Sequence, residues 1–363
     1  MGQQRPSSGY MSQLDGIRAI AVVMVMVFHW HHPTLFGDRL PLYFGVDIFF
    51  VLSGFLITRI LVRVRDQILD RPERPSSAKL HALKAFWVRR FLRLVPALLL
   101  YLAVAIGLGL FDDTDGLLWY LGYLGNFRIN QLGYWPSGGG HLWSLAVEEQ
   151  FYILMPLVVL WLPRRFLSAF FGAGIVLSIA VTAAVDSWAR LLPPAAFTGL
   201  FIGCLTALMF ERYAGDDRIT KWCALGAPGV VLTVALGPLI IDSEALVIAN
   251  DVVLDTAAAA MTWRAALGRG SRVLEHPVMT YLGRISYGLY LWHLVAQFLA
   301  WNVVGFEAHW ALRLGVSSLL SLALAALSDV CLERRFIAKK SNYPYVLQSP
   351  NHVDQESSET VSA

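Results

Sequence analysis

Charge is what this chain is short of: Asp, Glu, Lys and Arg supply 15% of its 363 residues, against roughly 25% in an ordinary soluble domain. Cysteine is scarce as well. The three present, Cys204, Cys223 and Cys331, sit in or beside apolar stretches with no metal-ligand spacing, so they read as structural thiols. The start, MGQQRPSSGYMSQLDG, lacks the separate charged, apolar and cleavage regions of a secretory signal, so the first apolar run is expected to stay as a span. There is no internal repeat and no stretch that reads as a separate soluble domain. The formal charge of +3 carries little information about partners, and nucleic acid is not an expected one.

What is present is apolar: 56% of residues are hydrophobic, with twelve Trp. Runs of about 20 such residues cross about 30 Å of hydrocarbon as a helix. Breaks at charged or Pro/Gly positions give about ten helices, near 16–36, 40–62, 91–111, 142–162, 166–186, 195–213, 222–241, 245–263, 278–301 and 310–332. The expected fold class is therefore an all-α integral membrane protein, a polytopic bundle with both termini cytoplasmic. In that register only Arg39, Arg128, Arg190 and Arg313 of the 29 Lys and Arg lie on the outer side, as the positive-inside rule requires.

Three connecting segments stand out. Residues 112–141 hold LLWYLGYLGNF, apolar but too short to cross, then the flexible YWPSGGGH, and are expected to form a re-entrant or interfacial segment on the outer face. Residues 63–90, with RPERPSSAK at their middle, form the longest inner loop, whose basic surplus suits lipid phosphates or an anionic cofactor. Residues 1–11 and 337–363 are expected to be cytoplasmic tails, the second polar and disordered.

Ionisable groups inside spans cost about 2.5–3.5 kcal/mol each on insertion scales, so each needs a partner or a function. In LDGIRAIAVVMVMVFHWHH, Arg18 and His29 are eleven residues apart. That spacing is three helical turns plus roughly 20°, which puts both side chains on one face about 16 Å apart along the axis. A snorkelling anchor explains Arg18 alone and a packing hydrogen bond explains His29 alone. Together they point to function. His31 and His32 fit the outer interface, and no carboxylate or Cys pattern makes HWHH a zinc site.

Four further constellations recur at helical spacing. In FWVRRFLRLVPA, Arg90 and Arg93 are neighbours on one face, either interior-side anchors or a guanidinium fork for phosphate. In GGGHLWSLAVEEQFYILMP, His141, Ser144 and Glu148 share a face at the outer start of the fourth span, with Glu149 pointing elsewhere. Neighbours along one helix rarely make a hydrolase triad, so hydrogen bonding to an acceptor hydroxyl is expected of them, or an arginine pair for Glu148. YLGRISYGLYLWHL steps Tyr287, Tyr290 and His293 at three-residue intervals, one step after Arg284, as packing or as substrate contacts. FGVDIFFVLSGFLI carries Asp47 as a buried carboxylate with no local partner, between Gly45 and Gly54, which permit close helix approach.

Taken together and in order, these five strings resemble the acyltransferase-3 family of membrane-bound O-acyltransferases, over residues 12 to 336. Arg18 and His29 match the family's Arg, ten residues, His pattern, and Arg90 and Arg93 its Arg-x-x-Arg. The resemblance implies a bundle of about ten helices in a bacterial inner or plasma membrane, among membrane lipids. The donor it implies is acetyl-CoA or another acyl-CoA reaching the bundle from the cytoplasm. The acceptor is a hydroxyl of a glycan, glycolipid or macrolide. Many relatives carry an added extracytoplasmic hydrolase-like domain. The sequence here holds no such region, so a second acyl-transfer step is expected to need a partner protein on the outer side.

On this resemblance Arg90 and Arg93, with Arg18, hold the donor phosphates. His29 acts as general base or as a transiently acylated nucleophile. His141, Ser144, Glu148, Tyr287, Tyr290, His293 and Asp47 are acceptor-binding or supporting candidates, and no metal and no permanently bound cofactor is expected. The rival is a transporter or flippase of a glycolipid or acyl compound, which would favour inverted repeats and interrupted paired helices. A non-catalytic scaffold leaves Arg18 and His29 without a role.

Overall fold

The computed structural model describes residues 10–30, 42–70, 75–240, 243–305 and 307–346, with backbone alone over 234–240. His31, His32 and Arg39 lie outside the described residues. The described chain is helical, and ten helices have at least fifteen residues: α1 Ser12–Trp30, α2 Gly45–Leu69, α3 Pro75–Gly107, α4 Leu142–Trp161, α5 Arg164–Ala184, α6 Thr198–Tyr213, α7 Gly226–Ile240, α8 Glu244–Ala266, α9 Ser286–Val304 and α10 Trp310–Ser328. Eight segments, which take in all of these but α7 and α9, are long and apolar enough to cross a membrane. The chain is a polytopic membrane protein. Helix α7 is short, and α9 is diluted by Tyr290, Trp292 and His293, which it turns inward and buries.

Helices α1 and α2 run antiparallel at the centre. Gly45, at the start of α2, abuts Ala21 and Val25 of α1. At the other end Arg59 Nη1 reaches Met11 Sδ at 3.1 Å. Helices α2 and α6 also approach closely. A methyl group added at Gly54 would fall on the Leu200 carbonyl, and one added at Gly203 would fall on the Val51 carbonyl and within 2.9 Å of the Phe55 amide. Only glycine allows two backbones this near each other.

Three elements differ from the sequence expectation. Helix α3 begins at Pro75, so most of the expected inner loop is helical. Ala82, Leu83 and Phe86 are buried, and Ala82 and Leu83 pack on Val64 and Ile68 of α2, a stripe at helical spacing that extends the helix toward its N-terminus. The expected helix over 278–301 is broken at Ile285 into Pro277–Arg284 and α9. Gly283 is pressed against the Asp15 backbone there, and Arg284 is exposed. The expected disordered tail is packed as far as residue 346: after the turn Lys339–Asn342 the chain folds back along α3.

Residues 112–141 form the short helices Leu117–Leu121 and Gly125–Leu132, neither long enough to cross. Arg128 clamps Asp113 through Nη2 to Oδ1 at 2.7 Å and Nε to Oδ2 at 2.9 Å, and the Tyr120 hydroxyl donates to Asp113 Oδ2 at 3.2 Å. The Tyr101 hydroxyl of α3 donates to the Gly138 carbonyl at 2.7 Å and ties down the end of the segment.

Two outcomes follow from these contacts. Gly54→Ala should destabilise the protein by about 1–3 kcal/mol through overpacking, read as a lower thermal unfolding midpoint in detergent. The hydrogen bonds from Arg128 hold the Asp113 carboxyl below its ordinary value. The clamp is thus intact above the usual carboxylate range and fails as pH falls through the lowered value. Limited proteolysis should cut residues 112–141 of Arg128→Ala at neutral pH, whereas the wild type should resist until pH falls below that range.

Candidate active site

Two cavities enter the bundle. The first, about 340 Å³, is lined by Arg18 from the start of α1, Ser53 and Ile60 from the later turns of α2, Arg89, Arg90 and Arg93 of α3, and Ser144, Glu148 and Tyr152 of α4. The second, about 820 Å³, is lined by His29 from the end of α1, Tyr43 and Asp47 from the start of α2, residues 135–138, Gly140, His141, Arg190, Asp251 and Trp301. Because α1 and α2 are antiparallel, these linings put the cavities toward opposite ends of the bundle. They share two residues, Val46 and Tyr290.

The first cavity is cationic. Arg93 is near enough to both Arg18 and Arg90 to be repelled by them. Arg18 is paired with Asp15 at 2.7 Å, while Arg90 and Arg93 have no carboxylate within ion-pair distance among the described residues. Arg90 lies instead 4.2 Å over the Tyr152 ring, a face that takes guanidinium without neutralising it. A cavity wall with Arg18, Arg90 and Arg93, the last two outside any ion pair among the described residues, is suited to a polyanion carrying phosphate groups.

A row of imidazoles crosses toward the second cavity. His29 and His293 ring centroids are 4.7 Å apart, and His293 and His141 centroids 5.2 Å apart, both edge to face. His29 Nδ1 is 2.8 Å from the Val25 carbonyl. A carbonyl only accepts, so Nδ1 carries a proton, and in the neutral ring the lone pair falls on Nε2, the form a general base requires. His293, fully buried, is fixed in the same way by the Tyr290 carbonyl at 2.6 Å. Neither ring nitrogen of buried His141 has a hydrogen-bond partner among the described residues, although the side chain lines the cavity.

The partition between the cavities is built from Tyr290. Its hydroxyl is 2.7 Å from Ser144 Oγ and also donates to the His141 carbonyl. Ser144 is thereby committed to a tyrosine, not to a histidine, so the stripe on α4 forms no hydrolase triad. The Tyr287 hydroxyl donates to the Leu94 carbonyl at 2.7 Å and the residue lines the cationic cavity.

Several expected placements change. His141, Ser144 and Glu148 do not serve one outer site: His141 faces the large cavity, and Ser144 and Glu148 face the cationic one. Glu148 accepts from Ser53 Oγ at 2.6 Å. The physical reason is the pitch of α4, since seven residues carry a side chain about 10 Å along the axis and past the Tyr290 partition. Asp47 is half-buried on the wall of the large cavity, and Tyr43 reaches the facing Asp251 at 3.4 Å. Arg18 and His29 line different cavities on the same side of α1, as their spacing requires. Sequence reasoning missed Ser53, Tyr152, Tyr43, Asp251 and Lys340. Of these Ser53 and Tyr152 lay within quoted motifs, and the others are brought in by packing between distant segments.

His29 is half-buried on a cavity wall and His293 wholly enclosed. His29→Ala should leave thermal unfolding in detergent nearly unchanged, whereas His293→Ala should cost about 2–5 kcal/mol by leaving a void.

Residues 11–330 match the family model described as "Acyltransferase domain" (Acyl_transf_3). The O-acetyltransferase OatA of Staphylococcus aureus strain NCTC 8325 / PS 47 is 28% identical over 327 residues, covering 79% of this chain and 50% of that protein. OatA of Staphylococcus aureus strain COL gives the same figures, 28% over 327 residues with 79% and 50% covered. The chain thus spans about half the length of these curated relatives. No solved structure matches the chain. The chain belongs to the acyltransferase-3 family of membrane-bound acyltransferases.

Proposed function

We propose that the protein is a membrane O-acetyltransferase that takes an acetyl group from acetyl-CoA in the cationic cavity and transfers it to a hydroxyl of a carbohydrate-like acceptor in the larger one. The observation that carries this reading is the pair of cavities meeting at Val46 and Tyr290, one walled by arginines and the other by His29. The name of the Staphylococcus aureus relatives supplies the acetyl group. With the basic residues held to the cytoplasmic side, Arg90, Arg93 and Arg18 meet the donor phosphates. The thin thioester arm then extends along the bundle toward Tyr290.

His29 Nε2 accepts the proton of the attacking hydroxyl. The oxygen forms the new ester bond as the carbon–sulfur bond breaks, and the thiolate that leaves takes up a proton as CoA. Acylation of Nε2 first, then transfer to the hydroxyl, uses the same atoms. In either route neutral imidazole contributes about 10²–10⁴ in rate. The acceptor wall pairs carboxylates, Asp47 and Asp251, with the indoles Trp135, Trp143 and Trp301, a combination that accepts hydrogen bonds from sugar hydroxyls and packs on their apolar ring faces. His141 lines the same acceptor space.

Purified protein with radiolabelled acetyl-CoA and candidate glycans, glycolipids and macrolides should place label on an acceptor. Movement of unmodified acceptor across a vesicle membrane without labelling would favour a carrier instead. His29→Ala should lower turnover by about 10²–10⁴-fold with donor affinity unchanged. Arg90→Ala and Arg93→Ala should chiefly raise the KM for acetyl-CoA. Normal turnover of His29→Ala would remove it from the chemistry.

A further inference from the structure

Three helices pass from one cavity to the other at a common level. On α2, Phe49 and Ser53 line the cationic cavity and Asp47 the large one. On α9 the change falls between Tyr287 and Leu294, and on α4 between Ser144 and Trp143. Val46 and Tyr290 line both cavities, so the junction runs between α2 and α9 at these two side chains. Its width is set by the fold. The Tyr290 hydroxyl is held by Ser144 and by the His141 carbonyl, so the ring cannot swing aside without breaking both bonds. Gly45 seats the start of α2 directly on the Ala21 carbonyl and the Val25 side chain of α1. Helix α1 is in turn tied to α9, with Trp30 Nε1 donating to the His293 carbonyl at 3.2 Å and Gln297 Nε2 to the His29 carbonyl at 2.9 Å. Against this fixed frame stands Val46, a half-buried branched side chain packed on the cluster that holds Tyr290.

A CoA thioester that enters from the arginine side leads with its acyl group. The carbonyl carbon reaches His29 only after that group has crossed the junction. An unbranched chain presents one methylene cross-section along its length, the same as the arm that follows it. A methyl branch at carbon 2 adds width between two walls that cannot retreat, and close-packed side chains resist even one extra methyl. We propose that Val46 is the specificity-determining residue for the acyl donor, admitting straight acyl groups and excluding those branched at carbon 2. The selection acts on width and not on length, because the large cavity of about 820 Å³ lies beyond the junction. The inference rests on the donor reading of the cationic cavity given above.

Inside-out vesicles from the native host, with the gene deleted or replaced by each variant, expose the donor side and carry the acceptor. Radiolabel passing from acetyl-, butyryl- and isobutyryl-CoA into their glycans and glycolipids is measured against the deletion. The wild type should use butyryl-CoA at least about tenfold better than isobutyryl-CoA, the scale on which a pocket discriminates one methylene. Val46→Ala should bring that ratio close to one by raising isobutyryl transfer. Val46→Leu should lower acetyl turnover about tenfold with acetyl-CoA affinity unchanged, because the phosphates stay bound while the acyl group stops short. A ratio that Val46→Ala leaves as it was would overturn the proposal. So would a wild type that takes acetyl-CoA but uses both four-carbon donors alike, or neither. Where Val46→Ala fails to accumulate, undiminished acetyl turnover in Val46→Leu overturns the proposal by itself. A wild type that transfers label from none of the three would overturn the donor reading and this inference together.

Discussion

Guanidinium groups placed among apolar helices are the constraint around which this molecule is arranged. Each is costly in the membrane, and Arg93 is also repelled by Arg18 and Arg90. The bundle resolves this by lining one cavity with all three, with Glu148 on the same wall and the Tyr152 ring beneath Arg90. Helices α1, α3 and α4 must therefore converge there. Their convergence brings the other ends of α1 and α4, with His29 and His141, to a second cavity. The glycine contact between α2 and α6 draws the bundle tight on the far side of α2.

Between the cavities the structure interposes little: Val46 and one tyrosine whose hydroxyl is held by Ser144 and the His141 carbonyl. In the proposed reaction a thioester and a hydroxyl approach from opposite sides and meet beside His29, whose Nδ1 is held by a backbone carbonyl of its own helix. His293 adds no cavity wall. Its buried ring spaces His29 from His141 and carries the row of imidazoles across the bundle. The imidazoles are thus oriented by backbone carbonyls and ring edges, both rigid supports.

The helical period carried much of this. Arg18 with His29, and Arg90 with Arg93, lie where their spacing puts them, because α1 and α3 are regular through those residues. The stripe His141, Ser144 and Glu148 was read as a single site and is divided in two. Periodicity reports direction around an axis and is blind to a partition lying across it. The span over 278–301 was read as continuous because Ile285 is apolar, and its break follows from Gly283 packing on Asp15, a contact across most of the chain length. Residues 339–346 look like solvent-loving tail by composition, and their order comes from Arg89 and His81 more than two hundred residues earlier.

The sequence by itself determined that the protein lives in a membrane, roughly where it crosses, and which face of each helix bears charge, because hydropathy and helical pitch are local properties. Its family was legible for the same reason, in short strings in a set order. Only the tertiary structure decided which charged faces meet, that they make two cavities divided at Tyr290, and that Asp251, Tyr152 and Lys340 belong to them. Those are consequences of helix packing, which joins residues that no local spacing relates.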